Sequence, residues 1–173
     1  MRRFIVVAIV VLVVAIGYRS YGGAETGTGT LTLQQPAPTQ GESAPRFQQK
    51  DIDGKPFEIS DDGVYVLMFW STLNQGSNKA RPGFEKLARE YSDDGATFAA
   101  VYVGSVPSDN DKPYGILQDS RGSLTSRYNI KRVPRVFVIK DGTITAVQNE
   151  YFDEYIEDLE TEIQEALGQE PGK

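Results

Sequence analysis

The chain has 173 residues, 39% of them apolar, which is enough for one globular domain with a tail. A net charge of -6 argues against nucleic acid as a partner. The absence of both Cys and His excludes disulfide exchange, thiolate metal sites, a Ser-His-Asp triad and the usual general base near neutral pH.

At the start of the chain Arg2 and Arg3 precede an unbroken apolar run from Phe4 to Ile16. That order of charge and apolar residues marks a secretory signal or an N-terminal anchor. As a helix the run would cover about 20 Å against about 30 Å of hydrocarbon, which is short for a span. Tyr18, Arg19 and Tyr21 suit the interface, whereas Gly22 and Ala24 suit a cleavage site. Residues 1–21 are therefore expected to be a signal-anchor that holds the domain outside the cytoplasm at the cell membrane. The alternative is a cleaved signal peptide that leaves the domain secreted or periplasmic. Residues 22–43 are rich in Gly, Thr, Gln and Pro and bury too little to offset ordering, so they are expected to form a flexible tether.

Residues 44–168 carry the patterning of a folded domain, and 169–173 read as a disordered tail. Two short extended runs flank Asp53-Gly54, which predicts a type I′ hairpin. Asp51-Ile52-Asp53-Gly54 begins like a calcium loop, but no helix precedes it and no Glu closes it, so it reads as a turn. Val64 to Trp70, "VYVLMFW", is apolar at every position, as in a central strand covered on both faces. Ala80, Phe84, Leu87, Ala88 and Tyr91 then recur at helical spacing, with a break at Ser92 to Gly95. "TFAAVYV", Thr97 to Val103, is a second buried strand, and strand-helix-strand predicts a parallel right-handed crossover. Beyond a polar loop, Ile116 and Leu117 form a short extended piece and Ser123 to Asn129 a short helix. "VPRVFVIKDGTITAVQ" predicts a strand, a hairpin at Asp141-Gly142 and an antiparallel partner. Phe152, Tyr155, Ile156, Leu159, Ile163 and Leu167 give a closing amphipathic helix.

The order of hairpin, buried strand, "FWSTLNQGSNKARPGFEKLAREY", "TFAAVYV", "YGILQD", "RYNIKRVPRVFVIKDGTI" and closing helix resembles the membrane-anchored thioredoxin-like proteins of the ResA/TlpA type. The resemblance covers nearly all of residues 44–168. It implies an α/β, thioredoxin-like fold: a mixed central sheet flanked by helices, with an N-terminal β-hairpin. Phe69-Trp70 and Pro82 stand where that family has them, and the family's cis-proline falls on Pro134. Asn74 and Ser77 stand where its two cysteines belong, with Gln75 and Gly76 between them.

Disulfide exchange needs a thiolate to attack and a second sulfur to resolve the mixed disulfide, and the peroxiredoxin-like relatives of the fold need a Cys as well. Asn74 and Ser77 are instead expected to cap the helix. The resemblance further implies an extended peptide lying across the helix N-terminus and pairing with Val133 beside Pro134. The expected peptide-binding residues are Trp70, Asn74, Gln75, Gly76, Ser77, Val133 and Pro134. Lys79, Arg132 and Arg135 are the expected anion-binding residues, within a basic group that includes Arg81 and Lys131. No catalytic residue, metal or cofactor is expected. The function that fits is a redox-inactive module that binds an envelope protein or extended peptide, as an accessory to thiol-disulfide or cytochrome maturation pathways. A structural or small-anion-binding domain and an enzyme using carboxylates or a borrowed cofactor are the alternatives.

Overall fold

A computed structural model describes residues 37–107, 111–149 and 155–170. The signal-anchor segment, residues 22–36 of the tether and the last three residues lie outside the described residues. No described helix is long and apolar enough to cross a membrane.

Strand β3 (Val64–Trp70) is the centre of a five-stranded sheet. It pairs in parallel with β4 (Ala96–Tyr102), which pairs in parallel with β5 (Gly115–Gln118). On its other side it pairs antiparallel with β6 (Arg135–Lys140), which continues into the antiparallel β7 (Thr143–Asn149). The sheet order is β5-β4-β3-β6-β7. A separate two-stranded hairpin, β1 (Gln48–Lys50) and β2 (Pro56–Glu58), precedes it.

The period of two along β3 explains why its sequence shows no alternation. Val64, Val66, Met68 and Trp70 point to a core shared with Ala80, Phe84, Leu87, Ala88 and Tyr91 of helix α1 (Gln75–Tyr91) and with Leu159 and Ile163 of a C-terminal helix, Tyr155–Leu167. Leu67 and Phe69 point the other way, to a core closed by Phe47 and Phe57 near the hairpin and by Leu124 and Tyr128 around helix α2 (Ser123–Arg127). Both faces are covered, so every β3 position must be apolar. The C-terminal helix is α3; Leu159, Ile163 and Ala166 are its buried stripe. Phe152 lies outside the described residues.

Two features differ from expectation. The Asp53-Gly54 turn is not type I′: Gly54 has φ +83 but Asp53 has no positive φ, and five residues link the strands. The Asp51 carboxylate sets this loop by accepting the N–H groups of Asp53 and Lys55. Ordered pairing with the sheet also begins before Ala44: the Gly41 N–H bonds to the Ile144 carbonyl, and Ser43 bridges to Thr143.

Candidate functional site: the α1 N-terminus and the proline loop

Trp70 ends β3, and the chain enters α1 through a four-residue turn, Ser71 to Asn74. Asn74 is the N-cap, with extended backbone, and its Oδ1 accepts the Ser77 N–H at 2.8 Å. Ser77 is buried, 2% exposed, and its Oγ accepts the Ser71 N–H at 3.3 Å. The turn is pinned again where the Asn78 side chain donates to the Thr72 carbonyl and the Leu73 N–H donates to Ser71 Oγ. At the two positions expected for cysteines, the side chains thus serve the local backbone. Pro82 lies within α1 and cannot donate to the carbonyl one turn back.

The opposite wall is the loop before β6, where the Val133–Pro134 peptide bond is cis. The walls touch: a Cβ placed on Gly76 would sit 3.3 Å from Pro134 Cδ and 3.2 Å from Asn74 Oδ1. Gly76 has no positive φ, so its lack of a side chain answers a close approach rather than a backbone need. Val133 is half-buried against the β2–α2 side of the core. Among the described residues its N–H and C=O make no hydrogen bond.

Beyond Pro134 lies a cavity of about 220 Å³ lined by Lys131, Arg132, Pro134, Arg135 and Asn149. The Arg135 guanidinium lies over the Phe137 ring, 5.1 Å from its centroid. Its Nε is buried without a hydrogen-bond partner, and burial lowers the guanidinium pKa from its ordinary value. The basic residues therefore separate. Arg132 and Arg135 meet with Lys131, while Lys79 is exposed on α1 and does not line this cavity. Arg81 turns instead toward Glu85, 3.8 Å away, which also holds Lys112 at 3.1 Å.

The structure removes Trp70 from the expected peptide-binding surface. It is only 2% exposed and packs against Phe84, Tyr102 and Tyr114. Asn74 and Gly76 are half-buried, Gln75 is exposed, and Ser77 and Pro134 are buried. A recess of about 10 Å³ under the turn is lined by Trp70, Ser77, Arg81 and Tyr102 among others, room for about one water. Trp70 Nε1 is buried without a hydrogen-bond partner among the described residues. Burial raises the pKa of Tyr102 and Tyr114, so both remain protonated at neutral pH.

Sequence reasoning missed Leu73. It is 95% exposed, the one exposed large apolar side chain among the described residues, and it stands immediately before the cap. A residue in that position ordinarily packs against the fourth residue of the helix. That residue is Asn78, whose side chain is turned back onto Thr72, so Leu73 has no apolar partner. The polar character of Asn78 was the available signal. Among the described residues no group of Asp and Glu side chains is placed to hold a metal.

The profile of the AhpC/TSA family matches residues 40–147. The chain is 28% identical over 150 residues to the thiol-disulfide oxidoreductase ResA of Bacillus subtilis, covering 80% of this chain and 79% of that one. It is 26% identical over 167 residues to the ResA of Bacillus thuringiensis subsp. konkukian, covering 90% and 92%. A crystal structure of a DsbE-type thiol:disulfide interchange protein from Chlorobium tepidum superposes with a TM-score of 0.67 at 23% identity, over 75% of this chain and 98% of that one. StoA from Bacillus subtilis gives a TM-score of 0.58 at 22% identity, over 70% and 98%. At these identities the solved structures share the thioredoxin-like fold.

Proposed function

The chain belongs to the AhpC/TSA family, and we propose that it serves there as a thioredoxin-like binding module without redox chemistry, holding an extended segment of an envelope protein across the α1 N-terminus and the Val133–Pro134 loop. The observation that carries this reading is the close approach of Pro134 to Gly76, beside a Val133 whose N–H and C=O make no hydrogen bond among the described residues. Backbone pairing of that kind adds a strand to the protein without needing sulfur. Leu73, exposed at the rim, offers an apolar contact that the fold itself does not use.

The redox part follows from chemistry. The chain contains no Cys, so it has no thiolate to attack a disulfide and no second sulfur to resolve it. Ser77 is a poor substitute nucleophile because it is buried and no His exists to activate it. The envelope setting draws on the relatives named thiol-disulfide oxidoreductase ResA and on the N-terminal apolar run, which would tether the domain to the membrane.

Two experiments test the reading. A photo-crosslinking residue is introduced at Leu73 and, as a control, at exposed Lys86 farther along α1. Crosslinks in intact cells are expected from Leu73 to an extended segment of one partner and not from Lys86; equal labelling at both positions would overturn a specific groove. The purified chain is also expected to leave insulin disulfides intact, whereas Asn74→Cys combined with Ser77→Cys gains exchange, because a helix N-terminus lowers a thiol pKa. Insulin reduction by the unaltered chain would end the redox-inactive reading.

A further inference from the structure

The molecule carries a net charge of -6, yet the described residues that line the cavity beside Pro134 are three basic ones, Lys131, Arg132 and Arg135, with Asn149. Arg135 is the fixed member of this lining. Arg135 and Asn149 are cross-strand partners on β6 and β7, and Arg135 and Phe137 are two apart on β6. All three therefore share one face of the sheet. Phe137 lies under the Arg135 guanidinium and restricts where it can point. Among the described residues Arg135 forms no ion pair, and its Nε is buried with no acceptor. A buried N–H without an acceptor is costly, and the rest of the half-buried guanidinium can still meet a ligand carboxylate.

From this geometry we infer that the cavity is a specificity pocket for a carboxylate side chain, an Asp or Glu, on the extended peptide held at Val133. The inference rests on the peptide-binding reading above and deepens it. Pro134 is a wall of the cavity and Val133 offers the adjoining unpaired backbone groups. A strand paired at Val133 therefore has a side chain within reach of the cavity. A guanidinium fork takes a carboxylate through two parallel hydrogen bonds, which selects for the planar acid over its amide. Free inorganic phosphate shares this chemistry but gains nothing from Val133.

The test selects heptapeptides from a randomised library on the full-length chain in detergent, compares the result with selections on Lys131→Gln and Arg135→Gln, and measures inorganic phosphate binding separately by calorimetry. Asp or Glu is expected to be enriched at one fixed position. The selected peptide should bind about tenfold more tightly than its Asn or Gln counterpart, a preference that weakens with salt. Arg135→Gln should abolish that preference, and Lys131→Gln, a change at an exposed residue that leaves the fold intact, should reduce it. Selection of peptides with no acidic position would overturn the pocket and leave the groove reading standing. Phosphate binding with no peptide selected would overturn the assignment to a peptide. Selection of nothing, with no phosphate binding, would overturn both readings.

Discussion

The two sides of the candidate site, the helix wall at the α1 N-terminus and the proline wall before β6, use their polar groups in opposite ways. On the helix wall the capacity is consumed locally: Asn74 caps Ser77, Ser77 accepts from Ser71, and Asn78 returns to Thr72. On the proline wall it is left open, with the Val133 backbone unpaired and Arg135 Nε without an acceptor. In a thiol enzyme of this fold the helix wall would carry the chemistry. Here the polar groups around the helix terminus bond to their own turn, whereas the Val133 backbone and Arg135 Nε beside the proline make no hydrogen bond among the described residues.

Substitutions can break this comparison, and the largest effect is expected beneath the proline wall. Helix α2, which leads into that loop, is held by Asp119: its carboxylate accepts from the Ser123 hydroxyl, the Leu124 N–H, and the N–H and hydroxyl of Thr125. Asp119→Ala is expected to cost about 2–4 kcal/mol, read from urea unfolding at pH 7. Burial alone would raise the Asp119 pKa, but the hydrogen bonds from Thr125, Leu124 and Ser123 outweigh it and hold the carboxyl below its ordinary value. The stabilisation is therefore fully present above the ordinary Asp pKa and is lost as pH falls through the depressed folded one. The gap between wild type and Asp119→Ala should narrow on acidification, and a gap unchanged down to acid unfolding would reject this account.

Next comes the contact between the walls. Gly76→Val puts carbon where Pro134 Cδ and Asn74 Oδ1 already stand, so a loss of about 1–3 kcal/mol is expected, with weaker peptide binding. A fully stable Gly76→Val that binds normally would mean the walls are free to separate. On the helix wall alone, Asn74→Ala should cost about 1 kcal/mol by chemical denaturation, and Asn74→Asp should keep most of that stability. Peptide binding should survive Asn74→Ala far better than Arg135→Gln, and the reverse order would invert the comparison. The smallest effect on stability belongs to Leu73→Ser, within about 0.5 kcal/mol of wild type. Its consequence should appear instead as reduced partner capture.

How far the sequence could be read is clearest where one signal led to two outcomes. Asp-Gly occurs twice. At Asp141-Gly142 both residues take positive φ, 50 and 74, as a tight hairpin requires. At Asp53-Gly54 only the glycine does, because the Asp51 carboxylate draws the neighbouring N–H groups into a wider loop. The central strand and the stripe of α1 were legible because periodicity reports which faces are covered. Trp70 stands close to Asn74 along the chain, which suits either a groove residue or a core one, and only the packing separates the two: at the end of β3 its side chain falls on the α1 face and is buried. Lys79 was grouped with Arg132 and Arg135 by charge, yet its place on α1 leaves it off the cavity that Lys131 helps to line.

The sequence by itself determined that no thiol or imidazole is present and which elements form, because the first is a property of composition and apolar period is a property of local order. Only the tertiary structure decided that Pro134 comes close to Gly76, that the Val133 backbone groups make no hydrogen bond among the described residues, and that Arg135 lies half-buried over Phe137 with its Nε lacking an acceptor. The reason is physical: those are contacts between segments distant in the chain, set by the packing of α1 and β6 against the same strand, and no local pattern encodes the distance between them.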